Sequence, residues 1–374
     1  MKNFFYVSLY ALAFGCSSPS SDSIDLNKRN NISITDFVDH IDVVQLESNS
    51  QSLINNITQI ISYEDCYYIF DAKQQVIFCF DLTGAFRYKI HSVGRGPDEY
   101  TYLEHFNIDP FNNRLMLLEP FGSILYFDLN GKFIKKINLP SECKSYNEVY
   151  AINKDTLLFA SLDEFNFTYY SSTDNSIVKR IFPVDQNVLP PQPIGRIYQY
   201  QDSIYFNSIL NENEIYNLSA NTLSINYKWN FGKLNYTKKQ IKTLYSDYIK
   251  EQRANMMPLN FVKLVRDGEF IDYFISNAWE TNRYRAASVL VNTGIVLVIY
   301  DKNNENYYVI DKTTEGIQPH FISITSESFI LWDYGSYDYK YYDLNLLNDR
   351  QADIINSHNI ERDNPFLVVY HLKQ

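Results

Sequence analysis

The pentapeptide Phe80-Asp81-Leu82-Thr83-Gly84 returns 47 residues later as Phe127-Asp128-Leu129-Asn130-Gly131. Each copy follows a short apolar run (Val76 to Cys79; Ile124 to Tyr126) and precedes another (Phe86 to Ile90; Phe133 to Ile137). One further run stands before each, Tyr67-Tyr68-Ile69-Phe70-Asp71 and Arg114-Leu115-Met116-Leu117-Leu118. Short apolar runs separated by Gly, Asn and Asp describe a meander of antiparallel strands. Weaker echoes continue at Tyr169-Tyr170-Ser171, Ile215-Tyr216-Asn217, Val298-Ile299-Tyr300-Asp301 and Leu367-Val368-Val369-Tyr370. A period in the forties with four strands per unit is that of a β-propeller blade. Six blades fit the length, so the chain reads as an all-β, six-bladed β-propeller.

Closure of such a ring requires both chain ends. Asp42 to Leu46 reads as a strand without a hairpin partner, and Asn364 to Leu372 as another at the opposite end. Pairing them in blade six removes both open edges. Two helical insertions are expected. In the first, at about 236–257, Ile241, Leu244, Tyr245, Tyr248 and Ile249 share a helix face and Thr237 serves as N-cap. The second, at about 337–357, carries Leu344, Leu347, Ile354 and Ile355 on a helical pattern.

The N-terminus carries an address. Lys2 precedes an apolar stretch from Phe4 to Phe14, too short to span a bilayer and of the length of a secretory signal. Leu12-Ala13-Phe14-Gly15-Cys16 resembles the lipobox of bacterial lipoproteins, with Phe14 bulkier than the residue usual there. The resemblance implies cleavage before Cys16, whose thiol and new amine become acylated, giving durable membrane attachment. The run Ser17-Ser18-Pro19-Ser20-Ser21-Asp22-Ser23 is polar and broken by proline. The expected organisation is a signal peptide (1–15), a lipidated flexible tether (16–35) and the propeller (36–374).

Composition narrows the function classes. Acidic residues outnumber basic ones by 44 to 33 for a net charge of −11, which opposes a nucleic-acid groove. Cys66, Cys79 and Cys143 remain beyond the lipobox, an odd number unlike a disulfide framework. Cys66 and Cys79 could meet diagonally across a hairpin, and their apolar surroundings favour buried free thiols. No His has another His or a Cys within three or four residues, so local spacing gives no metal site, and no cofactor is implied. Asp301-Lys302-Asn303-Asn304-Glu305 alternates oxygen ligands but lacks the Gly and final Glu of a calcium loop, and reads as a hairpin turn.

Gly94-Arg95-Gly96-Pro97-Asp98-Glu99-Tyr100 resembles the Gly-Arg-Gly-Pro-x-Glu-Tyr signature of the six-bladed, NHL-like β-propeller lipoproteins of Bacteroides-type bacteria. It stands where that family has it, after the first blade's outer strand. Asn364-Pro365-Phe366-Leu367-Val368 is similar to the family's ending. The resemblance implies the propeller fold and an envelope location, expected at the outer membrane, without a settled activity. The loop itself supports two readings. Arg95, Asp98 and Glu99 could line the mouth of the central channel. Alternatively, Gly94 and Gly96 supply special backbone angles, Pro97 stiffens the crossing, and Arg95 pairs with a carboxylate that locks blades one and two. The second reading is preferred.

Aromatic side chains make up 16% of the chain, with 32 Tyr and 25 Phe. Sheet cores account for most of them, and the cluster Trp332, Tyr334, Tyr337 and Tyr339 is the candidate aromatic surface. No catalytic motif is legible. The expected function is a non-catalytic binding or scaffold propeller for a protein, peptide or glycan, touching the membrane only through its lipid. The alternative is an envelope hydrolase or lyase with an acidic or metal site in the channel.

Overall fold

The computed structural model describes residues 23–374 apart from 121, 143–144, 162–163, 184–196, 208–212, 220–222, 236, 238, 241–242, 244–245, 247–271, 319–322, 326 and 334–340. Twenty-four strands form six four-stranded antiparallel sheets, the blades of a six-bladed propeller. Blades one to five run over Ile57–Ile90, His105–Asn138, Tyr146–Pro183, Ile197–Lys228 and Tyr273–Ile310. The repeated pentapeptide and all its weaker echoes fall on the third strand of successive blades.

The turn after that strand explains why the motif recurs. Asp81 accepts from the backbone N–H of Thr83 (2.9 Å) and Ala85 (3.1 Å), and Asp128 accepts from Asn130 and Lys132 (2.9 Å each). Gly84 (φ +87°) and Gly131 (φ +79°) hold the left-handed backbone that completes the turn. The pairing slips by one residue at Cys79/Phe80 and at Tyr126/Phe127. Blade three makes the same slip with Asn175 at φ +48° where a glycine would stand, which weakens its echo in the sequence.

Closure joins the two ends as expected. Val38–Gln45 is the outer strand of blade six and pairs antiparallel with Phe366–Leu372, setting Ile41 opposite Tyr370 and Val43 opposite Val368. Six apolar clusters lie between neighbouring blades and complete a ring; Phe70, Phe106 and Leu117 join blades one and two, and Val44, Ile69, Phe78 and Leu367 join blades six and one. Trp229, Trp279, Tyr100, Tyr126 and Tyr370 are fully buried, so much of the aromatic excess fills these seams. Asp301 ends a strand and opens a hairpin turn, its carboxylate accepting from Asn303 N–H and gripped by Arg283 (2.8 and 3.0 Å).

Two expectations are corrected. The segment 23–35 is not a tether. Ile24 and Leu26 are buried with Trp229, Val289 and Val298, and Ile24 N–H donates to Asn230 O (2.7 Å). Asn30 N–H donates to Val309 O (2.8 Å), so this strap lies across blades four and five before reaching blade six. Its four apolar residues, Ile24, Leu26, Ile32 and Ile34, stand singly among polar ones and were too few to signal burial locally.

The second helix is shorter than its pattern. It spans Asp349–Ser357, capped by Asn348 with Gln351 returning the bond, while Leu344–Leu346 is a 3-10 turn and Leu344 is exposed. Asn348 is the better start because its side chain satisfies a free N–H. In the first insertion Thr237 accepts from Gln240 N–H (3.3 Å) and residues 239, 240, 243 and 246 are helical; most of the remaining span to 257 lies outside the described residues.

Cys66 and Cys79 are buried free thiols, set diagonally because Cys66 faces Asp81 and Tyr68 faces Cys79. Burial and the neighbouring Cys66 push the Cys79 thiol up to about 12. Cys16 and Cys143 lie outside the described residues.

Candidate functional site

The marker loop is built around Glu99 and Tyr100, not Arg95. Gly94 N–H donates to Tyr100 O and Tyr100 N–H to Ser92 O (2.9 Å each), which closes the loop on itself. Glu99 folds back so that Oε2 accepts from Gly96 N–H (2.6 Å). A Cβ on Gly94 would stand 2.0 Å from that oxygen, so any other residue there would displace the Glu99 carboxylate; neither Gly94 nor Gly96 has a left-handed φ. The expected special backbone angles are therefore corrected to a steric need. Tyr100 is fully buried and its hydroxyl donates to Gln75 O (2.6 Å). Burial pushes that phenol up to about 12.

Blade two is held by a lysine from its outer strand. Lys136 donates to Glu99 O (2.9 Å) and pairs with Glu119 (2.7 Å), which also accepts from Thr101 N–H (2.8 Å) and from Ser123. Burial alone would raise the Glu119 carboxyl, but Lys136, Ser123 and Thr101 outweigh it and hold it below the usual carboxylate range. Arg95, Pro97 and Asp98 are exposed, and Arg95 has no ion pair among the described residues. The expected Arg95 lock is therefore corrected: the Glu99 carbonyl and the Tyr100 hydroxyl, not the exposed Arg95 guanidinium, tie the loop to blades two and one. None of these loop residues lines the channel cavity.

That cavity, about 530 Å³, is walled by inner strands of blades one to five. Its titratable groups are Glu104, His105, Glu148, Tyr150 and Tyr198, and most are tied to neighbours. Val149 N–H donates to His105 Nδ1 (3.4 Å), Gln59 meets Nε2 (3.2 Å), and burial holds the imidazole neutral down to about 3. Tyr150 donates to Glu148, and Asn147 to Glu104 (3.4 Å).

A larger cavity of about 1040 Å³ lies at the outer seam of blades four and five, roofed by the strap. Tyr300 and Tyr307 pack 4.8 Å apart, and Tyr227 stands edge-on to Trp229 at 5.4 Å. Arg285 lies 4.5 Å over the Tyr227 ring and donates to Glu280 (3.0 Å). Burial opposes the Arg285 charge, but Glu280 outweighs it and raises its pKa. Trp229 Nε1 is buried without a partner among the described residues. Asn226, Asn230 and Asn306 also line it, with Lys28 and Lys228 and with the acidic Asp25 and Glu305.

This aromatic groove was not legible locally, since its walls come from Tyr227–Asn230, Tyr300–Tyr307 and the strap. The cluster chosen from sequence fares differently: Trp332 packs half-buried against the seam of blades six and one, and Tyr334, Tyr337 and Tyr339 lie outside the described residues.

The model of a domain of unknown function, DUF4934, matches residues 21–371. The chain belongs to the DUF4934 family. No curated protein matches it. Among solved structures, a Bacteroides fragilis NCTC 9343 protein named “Putative exported protein” is similar over 93% of this chain and 98% of its own, with 17% identity and a TM-score of 0.72. A DUF4221 member from Bacteroides vulgatus is similar over 89% of this chain and 98% of its own, with 9% identity and a TM-score of 0.50. These likenesses establish the fold. No helix among the described residues is long and apolar enough to cross a membrane.

Proposed function

We propose that this DUF4934 chain is a non-catalytic binding propeller that takes a glycan in the groove between blades four and five. The carrying observation is the groove itself, where aromatic faces, carboxamides and cations line one cavity of about 1040 Å³. Aromatic faces suit the apolar sides of sugar rings, and carboxamides both donate to and accept from hydroxyls. The channel supports an enzyme less well, because His105 is engaged by Gln59 and Val149 of the flanking blades and Glu148 by Tyr150 of its own strand.

Export is supported by the apolar N-terminal stretch and by the name of the similar Bacteroides fragilis protein. A lipid on Cys16 would hold the propeller at the envelope, at the outer membrane in this reading. Cys16→Ala should release the protein from membranes or leave it unprocessed; wild-type fractionation and mobility would sink the anchor. For the groove, Tyr307 is 37% exposed, so Tyr307→Ala should fold. Glycans retained on an array by the wild-type protein should bind about tenfold more weakly to Tyr307→Ala, the loss of one aromatic contact. Equal binding by both proteins, or no glycan retained, overturns the groove assignment.

A further inference from the structure

The closure of the ring brings His371 to His40 and Asp42, metal-ligating side chains more than 300 positions earlier in the sequence. His40 and Asp42 alternate on one face of the first strand, and His40 pairs directly with His371 on the last. One ligating atom from each of the three lies within 4.8 Å of the other two. The two imidazoles are stacked, 4.1 Å between centroids and 9° from parallel. His371 Nε2 is 3.0 Å from Asp42 Oδ2, close to one edge of a tetrahedron whose metal bonds are about 2.0–2.2 Å.

What separates this trio from a chance meeting of polar side chains is the ring of partners behind it. Asp39 engages His40 Nδ1 (2.9 Å), leaving Nε2 as that ring's donor atom. Ser328 Oγ meets His371 Nδ1 (3.3 Å), which turns Nε2 towards Asp42. Gln351, on the helix Asp349–Ser357, donates to Asp42 Oδ1 (3.2 Å) and leaves Oδ2 facing His371. Metal-bound histidines are oriented in this way, through the nitrogen that does not bind the ion.

We propose that His40, Asp42 and His371 bind a divalent transition-metal ion, zinc by preference, that clips the N-terminal strand to the C-terminal strand. Two imidazoles and one carboxylate suit zinc better than calcium or magnesium, which take oxygen ligands. Exposed His40 turns its ring until both Nε2 lone pairs meet the ion, and water completes the coordination. Because the ion binds only when the ends are paired, it stabilises the closed ring.

The test is zinc titration of the full chain, purified with chelator and then freed of it, followed by calorimetry and thermal unfolding. Wild type should bind one equivalent at micromolar zinc and melt at a higher temperature with zinc than with EDTA. His40→Gln removes an exposed ligand and should fold normally, yet bind at least tenfold more weakly and lose the zinc-dependent rise. His371→Gln should do the same. Equal affinity and equal thermal shift in wild type and His40→Gln would place the zinc elsewhere and overturn the proposal, as would no binding by wild type at 100 µM, roughly 100 times the expected Kd.

Discussion

Blades one and two end their third strands in the same Asp-x-x-Gly turn, whereas blades four and five open theirs on Asn217 and Asp301 without that glycine and are joined by chain from the far N-terminus. Their strand lengths show why. In blade four the strands have 4, 5, 4 and 5 residues, while the first three of blade five have 8 each. Short strands cannot cover the apolar face that long ones present, so Val289, Val291, Val296 and Val298 need Ile24 and Leu26 as well. The groove remains where strap and blades do not meet. Blades of equal length seal against each other, and unequal ones leave room for a ligand.

The sharpest way to break this contrast is at the seam of blades one and two. Tyr100→Ala removes a fully buried ring whose hydroxyl bridges to Gln75, and should lower unfolding free energy by about 3–5 kcal/mol in urea. A loss under about 1 kcal/mol would mean that the marker loop only decorates that seam.

Leu26→Ala probes the other seam. If the strap completes the core of blades four and five, the change should destabilise by about 2–4 kcal/mol, as for other buried leucines. A neutral result would return residues 23–30 to the status of a tether.

Glu119 offers a pH test of the first seam. Its folded carboxyl titrates below the ordinary value of 4.5, so its contribution is present above that value and is lost as pH falls through the folded one. Wild type should therefore lose more stability than Glu119→Gln on acidification from pH 4.5 downward, measured by urea midpoints at each pH. Parallel acid profiles would show that Lys136 and Glu119 do not hold the loop.

The smallest effect is expected at Arg95. As an exposed side chain without an ion pair among the described residues, Arg95→Ala should stay within about half a kcal/mol of wild type. A larger loss would restore Arg95 as a lock and weaken the case for Glu99 and Tyr100.

The blades were legible because a strand and its turn are local: Asp81 reaches no further than Arg87, and Gly84 needs its φ whatever lies beyond it. The loop was legible as a marker but not in its parts. Charge made Arg95 conspicuous, while the contacts run through Tyr100, through Glu99 bent against Gly94, and through Lys136 one blade further on. The groove had no local signal at all, since its aromatics also read as ordinary core residues.

From the sequence alone came the blade count, the four-strand unit, its turns and the strand left unpaired at each end, all set by alternation and turn chemistry within a few residues. Only the tertiary structure decided that Ile24 packs beside Trp229 and that His40 stacks on His371. Those contacts join residues more than 200 positions apart, and no local pattern encodes them. They exist because a closed ring must bring its ends together, and because unequal blades leave apolar surface that some other part of the chain has to cover.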